Sequence, residues 1–241
     1  MIELIHQSRH LKTLPSSVLH VMDREADFYE LLDFLTSHRH RFVVRLRFDR
    51  ATDKGFISTE MNRAPVRCTR TAEISARPIA KQPGKARKHP TRAARVAQLE
   101  VRAMALSIQR PSHVSKQLAE HLAIHVVRVL EPNPPEGCEA VDWLLLTTEP
   151  IETDEDLSNV VEGYRARWVI EEYFKSLKTG CAFEKRQLEN RAAVLNALAL
   201  YAPIAWRLLL LRSQTREPQQ RLASDVLTQL QLRILRNHQW S

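Results

Sequence analysis

The chain has 241 residues, 44% hydrophobic and 27% charged, long enough to bury one large core or two small ones. Lys and Arg number 36 against 28 Asp and Glu, and the resulting net charge of +8 favours a polyanionic partner, nucleic acid before an anionic membrane. Three cysteines without CxxC spacing argue against a disulfide framework or a zinc site and for a reducing compartment, and the 5 glycines form no phosphate loop.

Residues 1–14 alternate charge and His with apolar residues, unlike a signal peptide, and residues 1–16 read as a helix leading into a strand. Residues 17–22 (SVLHVM) are a short buried-strand run ending at Asp23. Residues 24–38 follow with helical spacing of apolar side chains, and residues 41–48 (RFVVRLRF) return to strand. A carboxylate at the carboxyl end of a buried strand is where α/β sheets place ligands.

From 49 to 140 prolines recur and long helical periodicity is absent, which suits a β-rich insertion with strands at 96–108 and 122–130. Between Glu73 and Glu100 no acid occurs, while Arg77, Lys81, Lys85, Arg87, Lys88, Arg92 and Arg95 are basic, a pattern open to a solvated loop or a phosphate contact. His121 and His125 have i,i+4 spacing on a strand, too far apart for a shared metal, and His38 and His40 make a basic corner with Arg39 and Arg41.

Residues 141–148 (VDWLLLTT) are a buried strand again. Asp154 is expected to cap a helix running to Lys178, with Gly180 as its terminator, before two more helices at 188–212 and 219–235. The apolar run 192–211 has the length of a membrane span but contains Asn196, Pro203 and Arg207, so a buried helix of a soluble protein is expected.

On one helix at about 100° per residue, Tyr164, Arg167, Glu171, Lys175 and Lys178 fall within an arc of roughly 80°. That stripe carries a carboxylate flanked by cations and a phenol, as needed to hold a metal ion and grip phosphates. The i,i+4 pairs Arg167–Glu171 and Glu171–Lys175 equally suit a solvated helix face. Asp23 and Glu171 in a basic chain point to metal-dependent phosphoryl chemistry, in which two Mg²⁺ ions activate the attacking oxygen and stabilise the leaving one.

Four blocks carry a closer likeness: DREADFYELLDFL from Asp23, RFVVR, DWLLLTTEP, and Tyr164-x2-Arg167-x3-Glu171-x6-Lys178 ending in KTG. Their order and spacing resemble the cut-and-paste DDE transposases of bacterial insertion sequences, in the insertion-sequence-four group. The resemblance implies an α/β fold: a ribonuclease-H-like core, incomplete at its N-terminus and interrupted by a β-rich insertion, with C-terminal helices. It divides the chain into 1–48 (partial core), 49–140 (basic insertion), 141–182 (core continuation with the catalytic Glu helix) and 183–241 (C-terminal helices). It further implies Mg²⁺ or Mn²⁺ as a pair of ions, DNA (transposon ends and target) as partner, a homodimer in a synaptic complex, no membrane, and a cytoplasmic, nucleoid-associated location.

Residue by residue, Asp23 matches the second catalytic Asp and Glu171 the catalytic Glu, both metal ligands. Tyr164, Arg167, Lys175 and Lys178 match contacts to the transposon end, Trp143 matches the aromatic on which a flipped base stacks, and Arg24 and Arg45 match further DNA contacts. Without the resemblance Trp143 reads as core. The family's first Asp belongs to an earlier strand, and here Glu3 is the only acid ahead of Asp23. The expectation is therefore a truncated or frameshifted product that lacks one catalytic carboxylate and is inactive alone. Two other readings stand beside it: a non-catalytic DNA-binding or dimer-inhibiting remnant, and a structure-specific nuclease of the same fold.

Overall fold

The computed structural model describes residues 17–76, 92–214 and 222–237. The expected helix over 1–16 and five of the basic residues, Arg77, Lys81, Lys85, Arg87 and Lys88, lie outside the described residues. The chain divides into two compact units, Met1–Ala166 and Arg167–Ser241.

An eight-stranded sheet organises the first unit. β1 (Leu19–Met22) lies parallel to β2 (Arg41–Arg45), and β8 (Asp142–Thr147), β7 (His121–Leu130) and β6 (Arg95–Gln109) follow in that order, each antiparallel to its neighbour. Along the far side of β6, β5 (Val66–Ile74) pairs with its first half and β3 (Ala51–Thr52) with its end, with β4 (Gly55–Phe56) outside β3. The strands expected at 96–108 and 122–130 are thus β6 and β7, and they extend the same sheet that holds β1, β2 and β8.

Side-chain alternation sorts these strands into two cores. Phe42, Val44, Leu106, Ile108, Ile124, Val126 and Leu146 face one side, where α1 (Tyr29–Ser37) and α2 (Ile57–Arg63) cover them with Leu31, Leu32, Leu35, Ile57 and Met61. Val43, Val101, Ala103, Val127, Val129 and Leu145 face the other side, under α3 (Asp154–Ala166). Because both faces are covered, β2 is apolar at three consecutive positions instead of alternating. Each Leu, Val or Phe so enclosed contributes about 1.5–3 kcal/mol. α3 meets the sheet through Leu157, Val160, Val161 and Tyr164, an i,i+3,i+4,i+7 stripe. It comes close to β1 where it has no side chain: a Cβ on Gly163 would stand 3.1 Å from Leu19 Cδ2.

Several expected elements differ. The helix expected over 24–38 is a 3-10 turn (Arg24–Ala26), a break at Asp27, and then α1, because the Asp27 carboxylate is drawn into the core to bind the loop after β2. That same capture ends β2 at Arg45, short of the expected Phe48. Thr153, not Asp154, caps α3 in a reciprocal box: its Oγ1 accepts from Asp156 N at 3.1 Å, and the Asp156 carboxyl is held below its usual range first by the Thr153 hydroxyl, which donates to its Oδ2 at 2.8 Å, and then by Thr153 N at 2.9 Å.

In place of one helix from 154 to 178, α3 ends at Ala166, α4 covers Trp168–Lys175, and a π-turn runs from Ser176 to the expected terminator Gly180. In the second unit α5 (Arg191–Gln214) replaces the expected buried helix with a largely exposed one: Ala205 and Leu209 are buried, while Leu195, Leu200, Ile204, Trp206 and Leu208 are exposed. α5 is long and apolar enough to cross a membrane by length and composition. Its Arg207, however, donates to Val226 O and to Gln231 Oε1 at 3.3 Å within the same unit. The helix expected at 219–235 is divided into α6 (Ala223–Val226) and α7 (Gln229–Asn237) by extended backbone at Leu227, after which Thr228 and Gln231 form a second capping box.

Candidate functional site

Asp23 follows directly on β1 with extended backbone (φ −88°, ψ −169°), and its Oδ1 accepts from Glu25 N at 3.0 Å to cap the 3-10 turn. Met22 pairs with Val44, so Asp23 and Arg45 come one step further along two parallel strands, at the same edge of the sheet. β8 runs antiparallel to β2 with Arg45 opposite Leu145, which brings its first residues, Asp142 and Trp143, to that edge as well. Adjacent strands therefore set Asp23 and Arg45 side by side, with Trp143 on the next strand two residues, about 7 Å, beyond Arg45 at the same end of the sheet. Arg24, in the turn beside Asp23, is exposed there.

Alternation places Arg45 and Trp143 on the α3 side, with Val43 and Leu145. Arg45 Nη2 donates to Asp142 O at 3.2 Å, and its Nε is buried without a hydrogen-bond partner among the described residues. Trp143 is half-buried, with the Tyr164 ring edge-on against it, centroids 5.5 Å apart at 63°. Tyr164 itself is 6% exposed, since it completes the apolar stripe of α3 as well as the polar one read from the sequence. It belongs to the core of the first unit and does not share the exposure of the lysines grouped with it.

The remaining candidates lie in the second unit. Arg167 keeps helical backbone ahead of α4, and its Nη1 meets Glu171 Oε1 at 3.3 Å. The Glu171 side chain is 51% exposed, so this pair contributes about 0.3–0.5 kcal/mol, little enough for a ligand to displace it. Lys175 is exposed at the end of α4, and Lys178 in the π-turn pairs with Glu184 at 3.2 Å. A π-turn carries an extra residue in one helical turn and occurs often at functional sites.

Carboxylate oxygens suit a hard divalent cation in kind. In number they fall short: among the described residues no group of three or more His, Cys, Asp and Glu side chains is placed to hold a metal ion.

A neighbour of Asp23 escapes a reading of the sequence alone. Asp27, the last residue of DREAD, is 2% exposed; its Oδ2 accepts from Arg47 N (2.6 Å) and Phe48 N (3.0 Å), and its Oδ1 from Arg50 Nε (2.9 Å) and Nη2. The available signal was local: an acid and an aromatic at 27 and 28 interrupt the helical pattern that begins cleanly at Tyr29. This carboxylate is fully committed to structure, in contrast to half-buried Asp23 one turn earlier.

Beyond the geometry there is a family match. The family model for the transposase DDE domain covers residues 1–206, which takes in the whole first unit together with α4, the π-turn and the first two thirds of α5. Members of this family act on DNA by phosphoryl transfer and typically use divalent metal ions. The mixed α/β architecture with C-terminal helices is compatible with that domain. With the match spanning more than half its length, the chain belongs to the transposase DDE domain family.

Proposed function

We propose that the chain is a DNA transposase of the insertion-sequence-four group, built on a ribonuclease-H-like core. In it, residues 1–48 and 141–182 form the core, 49–140 the insertion and 183–241 the C-terminal region. Asp23 and Glu171 are the carboxylates of the site, offered to Mg²⁺ or Mn²⁺, two ions in an intact centre. Arg24 and Arg45 hold phosphates beside Asp23. Tyr164, Arg167, Lys175 and Lys178 grip the transposon end, and Trp143, with the Tyr164 ring edge-on against it, stacks an extruded base. The observation that carries this is the delivery of Asp23, Arg45 and Trp143 to one sheet edge by three adjacent strands. The Arg45 Nε at that edge, buried without a hydrogen-bond partner among the described residues, is further support, since a phosphate oxygen is its natural acceptor.

A homodimer in a synaptic complex is part of the proposal. The exposed Trp168, Val169, Ile170 and Phe174 of α4, with the apolar residues of α5, support a second copy as the partner. Two carboxylates are assigned where the family chemistry uses three, and no described cluster makes up the difference. The 241-residue chain alone is therefore expected to bind DNA without cutting it, which joins the catalytic reading to that of a dimer-inhibiting remnant.

The test is direct. Purified protein is mixed with insertion-end duplex in Mg²⁺ or Mn²⁺, and binding and nicking are followed together. Binding should weaken steeply with salt, and Arg45→Ala should lower the log–log salt slope by about one. A metal-dependent nick abolished by Glu171→Ala would overturn the inactivity, and salt-independent or absent binding would overturn the DNA assignment.

A further inference from the structure

Four residues beyond Asp23, Asp27 pins the loop that follows β2. Its buried carboxylate takes the backbone N–H groups of Arg47 and Phe48 and the guanidinium of Arg50. An ion buried this deeply is costly unless every lone pair is satisfied, so the loop has little freedom to depart from this arrangement. With their N–H groups held inward, Arg47 and Phe48 are both presented outward.

Phe48 is 55% exposed, and the Arg47 guanidinium lies 5.0 Å from the centroid of its ring. The ring also lines a cleft of about 670 Å³, together with Phe28, itself 36% exposed, and Tyr29. That volume is within the range of about 300–1,000 Å³ usual for small-molecule sites. Most charges on the cleft wall are already engaged. Arg50 is bound to Asp27; Arg110 donates to Lys116 O at 3.1 Å and to Leu118 O; Asp49 accepts from Ser58 N at 2.9 Å and Ser58 Oγ at 2.5 Å. With Glu30 also on the wall, the interior suits a neutral, flat, aromatic group and not an anion. The cations that reach solvent, Arg47 and Arg24, stand outside it.

We propose that the cleft between Phe28 and Phe48 is a subsite for one unpaired nucleobase of single-stranded DNA, with Arg47 at its rim holding the adjacent phosphate. The inference rests on the DNA reading above. Phe48 offers a π-face on which any base stacks, and the guanidinium on the ring strengthens it as a platform. The tight turn from Asp23 to Asp27, a residue of the cleft wall, spans roughly 8 Å at a 3-10 rise. The clamp makes Asp27 a positioning residue for this platform.

The test measures affinity of the full chain for a fluorescent oligothymidylate and for a duplex of equal length, at fixed salt. Phe48→Ala should weaken oligothymidylate binding by roughly 5- to 150-fold and leave duplex binding within two-fold, since stacking is worth about 1–3 kcal/mol per base. Phe48→Trp should restore affinity, with its emission quenched on binding. Arg47→Ala should lower the single-strand salt slope by about 0.7. Free thymidine monophosphate should compete poorly because it lacks the neighbouring phosphate. If it competes as well as the oligonucleotide, the site is a mononucleotide pocket and the strand assignment falls. Equal binding by wild type and Phe48→Ala would remove the subsite and leave the DNA reading intact, whereas wild type binding neither probe would remove both.

Discussion

At the level of single residues, Asp27→Ala would leave the Arg50 guanidinium buried and unpaired and free two backbone N–H groups of the loop after β2. Breaking a buried pair from one side costs about 3–5 kcal/mol, so the urea midpoint should fall sharply; a change below about 1 kcal/mol would mean that the loop is held by something else. Glu171→Ala removes only an exposed i,i+4 partner and should shift stability by less than about 0.5 kcal/mol. A change in DNA binding by that variant can therefore be read as an effect at Glu171 itself and not as unfolding.

Glu131 gives an acid-side prediction. Its carboxyl is held below the usual range first by the Arg95 guanidinium and then by the Val141 N–H. A depressed folded value means stability that is present above about pH 4.5 and lost as pH falls through the folded value. Glu131→Gln should lower stability at neutral pH and flatten the acid limb of a thermal-stability profile.

Among the elements, β1 carries its own titration. Burial lowers the pKa of His20 below 6.5, and the His40 ring stands edge-on against it at 5.2 Å, with Phe34 stacked on His40. Here the folded state prefers neutral imidazole, so the unfolded chain takes up the proton first. Stability conferred on β1 should be intact above about pH 6.5 and fall as pH drops from there through the lower folded value. His20→Gln should remove that slope; a melting temperature flat between pH 7 and 5 in the wild type would refute it. Because Asp23 is the residue after β1, loosening of this strand reaches the candidate site directly.

For the molecule as a whole, the second unit exposes more large apolar side chains than a lone soluble helix pair ordinarily does, across α4, α5 and α7. Self-association should follow and should rise with protein concentration in sedimentation or light scattering. Replacing Leu200 and Trp206, both exposed on α5, with Glu should shift the distribution toward monomer while sparing the fold. The first unit, with two enclosed cores on one sheet, should unfold at higher denaturant concentration than the second.

Much of the first unit was legible in the sequence, since local patterns record local requirements. Apolar runs and alternation located β1, β2, β6, β7 and β8, and Asp23 stood where a strand had to end. Four sequence blocks resembled one group of DDE transposases, and the domain match shows the DDE transposase family at its broader level. Other features were set by partners distant in sequence. β6 and β7 join the same sheet because ladder pairing reaches across about 100 residues from β2 to β8 and β7 then pairs with β8. Tyr164 is core because it packs edge-on against Trp143 and completes the apolar stripe of α3, although its spacing to Arg167 and Glu171 fits a polar stripe equally well. Asp27 breaks a helix because its acceptors are needed 20 residues away, and α5 is exposed where its composition suggested burial. Periodicity states which face of an element is apolar; only tertiary packing decides what, if anything, covers that face and which charge is drawn inside.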